Sequence, residues 1–133
     1  MAKVLIVEDE RIVAKDLEST LMRLGHTVAA TAASADEAIR LAEEHRPDLV
    51  LMDISLEGPR DGIAAAMEIY GRLSTAVVYL TAYADDDTVS RARETAPYGY
   101  LVKPFNEREL HGTIEVALHR HQTEARLRQQ ERM

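Results

Sequence analysis

Five short apolar runs, each followed by a stretch of helical periodicity, set the outline of this chain. The runs are VLIV (Val4–Val7), TVAATAA (Thr27–Ala33), LVLM (Leu49–Met52), VVYL (Val77–Leu80) and YGYLV (Tyr98–Val102). Most are continuously apolar and rich in β-branched residues, which is how strands covered on both faces read. Behind the first run, Ile12, Val13, Leu17, Leu21 and Leu24 recur at helical spacing until Gly25 provides a stop. Ser34 and Glu37 have capping-box spacing for a second helix that ends near Pro47, and a third helix runs roughly from Ile63 to Leu73. Asp85 to Asp87 can cap a short polar helix reaching about Thr95. Asn106 with Glu109 forms another capping pair and opens a final helix that runs almost to the end. Strand and helix alternating in this way lead to an α/β fold, a doubly wound five-stranded parallel sheet with five helices on both faces.

The first, third and fourth runs are the most apolar and belong at the centre of the sheet, while the second and fifth suit its edges. That gives the strand order 2-1-3-4-5, a flavodoxin-like arrangement. Ligands of such sheets sit beyond the carboxyl ends of the strands where the order reverses, here between the first and third. Glu8 and Asp9 follow the first strand and Asp53 follows the third, so three acids converge there. A length of 133 residues suits about one domain. The formal charge of −7 argues against nonspecific binding to nucleic acid or anionic membranes. The absence of cysteine excludes disulfides and thiolate metal sites and fits a reducing compartment. MAKVLIVEDE has too short an apolar run for a signal peptide or a membrane span. The expectation is a cytoplasmic domain that binds neither nucleic acid nor membrane by itself.

Two further polar groups share the rim: Thr81 behind the fourth strand and Lys103 behind the fifth, with Pro104 following. Three converging carboxylates repel one another, and at least one stays protonated unless a cation joins them. Mg²⁺ suits carboxylate and water oxygens, and Lys103 supplies a second positive charge. A carboxylate in such a setting can attack phosphorus and form an acyl phosphate, with the metal, the lysine and the threonine hydroxyl surrounding the transferred oxygens. Taken singly, each feature has a plainer reading. Glu8-Asp9-Glu10 can be the acidic first turn of a helix, Asp53 a turn residue, Thr81 a strand end and Lys103-Pro104 a loop. Four strand ends carrying these residue types in this order make the joint reading the stronger one.

From Lys3 to about Leu118 the chain resembles a response-regulator receiver domain of two-component signalling. Glu8-Asp9, Asp53, Thr81-Ala82, Tyr100 and Lys103-Pro104-Phe105 carry the resemblance. It implies that Asp53 is phosphorylated by a sensor histidine kinase or phosphotransfer protein, and that Asp9 and Asp53 ligate Mg²⁺. Glu8 would act on the metal through water, and Ser55 through its backbone carbonyl. Thr81 and Lys103 would hold phosphoryl oxygens, with Lys103 aimed by a cis bond to Pro104. Ala82 is small enough to admit a phosphodonor. Glu8 stands where many members have Asp, a frequent variation. Ser55 and Tyr83 occupy the two positions that tune phosphoryl lifetime in the family. Tyr83 either shields the phosphoryl group from water or points to solvent. Thr81 would move towards the phosphoryl group and Tyr100 would rotate inward, remodelling the surface of the fourth helix, fifth strand and fifth helix. That surface would serve a partner or a homodimer. Such a domain is not an enzyme beyond its own phosphorylation and dephosphorylation.

A rival reading is a Mg²⁺-dependent phosphatase-like hydrolase that also forms an aspartyl phosphate. Such enzymes place a second Asp two residues after the nucleophile, where this chain has Ser55, and no cap domain is present to hold a substrate. SLEGPRDG (Ser55–Gly62) lacks the glycine pattern of a nucleotide-binding loop. His111, His119 and His121 read as surface residues, since the last two face differently on a helix. Residues 1–120 form the receiver and 121–133 a helical extension. The tail HRHQTEARLRQQERM favours helix but does not sustain an apolar seam. It can be a frayed end, a dimer helix or the start of a linker. No DNA-binding motif accompanies it, so the output is expected in a partner or in a downstream domain.

Overall fold

The computed structural model describes residues 2–56, 58–82, 86–95 and 97–132. Strand β1 (Lys3–Val7) leads to α1 (Arg11–Arg23), β2 (Thr27–Ala32), α2 (Ala35–His45), β3 (Leu49–Asp53) and α3 (Gly62–Leu73). The chain continues through β4 (Ala76–Thr81), α4 (Asp86–Glu94), β5 (Gly99–Val102) and α5 (Glu107–Arg132). All four strand pairings are parallel, and the order is β2-β1-β3-β4-β5. The sheet therefore has the expected topology, with its most apolar strands inside and β2 and β5 on the edges. The edge positions follow from burial: every residue of β3 and β4 is buried, whereas β2 is mostly half-exposed.

Successive side chains of a strand point to opposite faces, and the core divides accordingly. Leu5, Val7, Val50, Met52, Val77 and Tyr79 pack under α2, α3 and Ala92 of α4. Val4, Ile6, Leu49, Leu51, Val78 and Leu80 pack under Leu17 and Leu21 of α1 and Leu110, Ile114 and Ala117 of α5. Gly25 ends α1 at φ +93°, a conformation that costs an L side chain strain. The Asn106–Glu109 box closes in both directions, Glu109 N–H donating to Asn106 Oδ1 at 2.7 Å and Asn106 N–H to Glu109 Oε1 at 3.4 Å. At α2 the box is shifted by one residue. Ser34 Oγ accepts from Glu37 N–H, but the Glu37 carboxylate accepts from Ala33 rather than Ser34. The proposed capping residue Asp85 lies outside the described residues, as does Tyr83.

The fifth helix is continuous from Glu107 to Arg132, and beyond Leu118 it is held to the body by Tyr98. That tyrosine precedes β5, is buried, and donates its hydroxyl to the Glu124 carboxylate. Arg120 lies over its ring at 5.2 Å and His121 meets its edge at 5.4 Å. His121 also contacts the Ser74 carbonyl, so it is half-buried, unlike His111 and His119, which are exposed as expected. Among the described residues, no helix is long and apolar enough to cross a membrane.

Candidate functional site

The carboxyl ends of β1 and β3 bring Glu8, Asp9 and Asp53 together, with one oxygen from each within 4.8 Å of the others. The neighbouring strands register Val7 with Met52 and Asp53 with Leu80, so the acids lie level on one rim. Lys103 reaches this cluster from the loop after β5. Its Nζ donates to Glu8 Oε1 at 2.6 Å and to Asp53 Oδ2 at 3.4 Å. The Lys103 backbone N–H donates to the Thr81 carbonyl at 2.7 Å, which joins the last strand to the site. The Lys103–Pro104 bond is cis.

Backbone donors hold the carboxylates in place. Ser55 N–H donates to Asp53 Oδ1 at 3.0 Å, and Glu10 N–H donates to Glu8 Oε2 at 3.2 Å. Glu8 and Asp53 are only 3% and 4% exposed, too buried for water to offset their mutual repulsion. Burial, and then the neighbouring Glu8, push the Asp53 pKa up to about 7 despite the opposing pull of Lys103. Burial acts on Glu8 in the same direction. There the hydrogen bonds involving Lys103 and Asp53 outweigh it and hold the carboxyl below its ordinary range. Glu8 is therefore the ionised partner of Lys103, and Asp53 keeps a proton near neutrality. This is the outcome that repulsion between converging acids requires when no metal balances them.

Two residues outside the acidic cluster complete the rim. Thr81 ends β4 and is buried, and Tyr100 lies half-buried on β5, packed against the face covered by α2, α3 and α4. Thr81 pairs with Val102, and Tyr79 with Tyr100. Gly62 has a structural role beneath Asp53. A Cβ there would lie 2.0 Å from the Asp53 carbonyl oxygen, so only glycine lets α3 start against the end of β3. Asp61 caps that helix by accepting from Ala64 N–H at 3.0 Å, and Arg91 of α4 pairs with Asp61 at 2.8 Å.

The family model of the response regulator receiver domain matches residues 4–115. The chain belongs to that family. It is 43% identical over 118 residues to the transcriptional regulatory protein PdtaR of Mycobacterium tuberculosis, covering 89% of this chain and 57% of the relative. The transcriptional regulatory protein AfsQ1 of Streptomyces coelicolor is 36% identical over 125 residues, covering 94% and 55%. The chain thus spans a little over half the length of these relatives. Among solved structures, the signal receiver domain of a modulated diguanylate cyclase from Desulfovibrio desulfuricans G20 superposes with a TM-score of 0.89 at 37% identity. That match covers 93% of this chain and 98% of the other. The molecule is a response regulator receiver domain of a two-component system.

Proposed function

We propose that this receiver is switched by a phosphoryl group carried on Asp53. The observation that carries the proposal is Lys103 Nζ placed between the buried Glu8 and Asp53 in a cluster of three carboxylates. A sensor histidine kinase or phosphotransfer protein supplies the group. An Asp53 oxygen attacks phosphorus, the bond from phosphorus to the donor breaks, and an acyl phosphate remains. Asp53 must be ionised to attack, so the proton that keeps it neutral has to leave as a cation enters. The donor set is all oxygen, which suits Mg²⁺. Asp9 and Asp53 would ligate it directly, Ser55 through its carbonyl and Glu8 through water. When bound, the ion neutralises charge on the transferred oxygens. Lys103 then exchanges Asp53 for a phosphoryl oxygen while keeping its bond to Glu8.

Thr81 donates its hydroxyl to the phosphoryl group, and Tyr100 turns into the space beside it. These two movements change the surface formed by α4, β5 and α5, where a partner or a second copy docks. The relatives PdtaR and AfsQ1 carry names of transcriptional regulators, and this surface is where such an output would be controlled. The domain works in the cytoplasm and catalyses only its own phosphorylation and dephosphorylation.

Incubation with Mg²⁺ and acetyl phosphate, followed by intact mass measurement, tests the acceptor. One phosphoryl adduct that is lost with EDTA and with Asp53→Asn is expected. An adduct that survives Asp53→Asn removes Asp53 from its role. In the same assay Thr81→Ala keeps the adduct but loses most of the phosphorylation-dependent change in oligomeric state or partner binding. An unaltered response would remove Thr81 from the switch.

A further inference from the structure

We infer a second metal site, for a transition-series divalent ion such as Zn²⁺, formed by His26, His111 and Glu115. His26 immediately precedes β2 at the amino-terminal edge of the sheet, whereas the acidic rim lies at the carboxyl edge. His111 and Glu115 are four residues apart on α5, so they share one helix face. One ligand atom from each of the three lies within 4.8 Å of the others.

The state of His26 points to a ligand. The residue is 6% exposed, and its Nδ1 accepts from Ala2 N–H at 3.1 Å. Among the described residues its Nε2 is buried without a hydrogen-bond partner, and with Nδ1 taken by Ala2 it is the ring nitrogen left for the pair on α5. A buried polar atom without a partner carries a desolvation cost. A cation on Nε2 would give that atom a partner, in exchange for the Ala2 hydrogen bond on Nδ1. Burial, more than any neighbouring charge, also keeps this imidazole neutral, the form that ligates. Two imidazoles and one carboxylate suit Zn²⁺ and related ions rather than Mg²⁺. His111 and Glu115 are exposed, so their side chains can draw in to bonding distance around an ion. Glu115 also borders an open groove of about 500 Å³ that is lined by Ala2, His119 and His121 among others.

Binding through Nε2 moves the ring proton to Nδ1, so the Ala2 hydrogen bond must break. This gives the site its own signature. It also fastens α5, the helix that carries the C-terminal extension, to the start of β2.

The test is a Zn²⁺ titration of the full chain by calorimetry, in millimolar Mg²⁺ to occupy the acidic rim, with NMR of the Ala2 amide and the His26 ring. Binding of one ion per chain is expected, with both sets of resonances shifted. The surface variant His111→Ala/Glu115→Gln should weaken it by at least about tenfold and leave acetyl-phosphate labelling of Asp53 unchanged. His119→Ala/His121→Ala should retain binding. Equal affinity in wild type and His111→Ala/Glu115→Gln would overturn the site, as would Zn²⁺ binding that leaves the Ala2 and His26 signals unmoved or no binding in Mg²⁺.

Discussion

Replacing Asp53 by asparagine should stabilise the metal-free domain at alkaline pH, and the size of the effect follows from the burial of its carboxyl. The pKa stands at about 7 rather than 3.8 because of burial and the neighbouring Glu8. A carboxyl raised in this way binds its proton more tightly folded than unfolded. Its contribution to stability is therefore complete below the unfolded value near 4 and is lost as pH rises through about 7. At about 1.4 kcal/mol per unit, ionising Asp53 in the folded chain costs up to about 4 kcal/mol. Glu8 is shifted the opposite way by its hydrogen bonds and offsets part of this. Urea unfolding of wild type and Asp53→Asn in EDTA, from pH 4 to pH 8, isolates the effect as the difference between the two curves. That difference should grow by up to about 4 kcal/mol in favour of the variant, mostly between pH 5 and pH 8. Mg²⁺ at ten times its dissociation constant should return about 1.4 kcal/mol to wild type at pH 8 and much less to the variant. A difference that stays flat across the range would refute the reasoning, because Asp53 would then be no more strained by its neighbours folded than unfolded.

Lys103→Met leaves Glu8 and Asp53 without their shared cation, and acetyl-phosphate labelling should slow by about 10²-fold or more; labelling at the wild-type rate would exclude the lysine from the reaction. Gly62→Ala puts a methyl group on the Asp53 carbonyl and should destabilise the fold by about 3 kcal/mol or more, read as a lower urea midpoint. Tyr98→Leu removes the hydroxyl bonded to Glu124 and the ring beneath Arg120. Hydrogen exchange should then accelerate in α5 beyond Leu118 while remaining slow around Ile114. Uniform exchange along α5 in both proteins would show that Tyr98 does not hold the extension.

Much of this architecture is legible because each strand is a local event. Continuous apolar runs such as LVLM and VVYL, alternating with helical periodicity, read as strands buried on both faces, and the polar residue that ends each one is then carried to a common rim. The positions of Asp53, Lys103 and Thr81 follow from that rule together with the strand order. Capping pairs read equally well where both bonds are local, as at Asn106 and Glu109. The Ser34 box shifts by one residue because the Glu37 side chain is long enough to choose between adjacent N–H groups.

Contacts between residues distant in sequence leave no such local trace. Gly62 looks like an ordinary loop glycine until the end of β3 is seen pressed against it. Tyr98 looks like the first residue of a strand until α5 passes over it and supplies Arg120, His121 and Glu124. His111 and Glu115 have the spacing of a helical pair, yet their third neighbour, His26, comes from the other edge of the sheet. The sequence alone determined the fold class, the strand order and the membership of the acidic rim, because periodicity and strand ends are local properties. Only the tertiary structure decided how charge is shared within that rim and what holds the long final helix, since burial and cross-element contact exist only once the chain has folded.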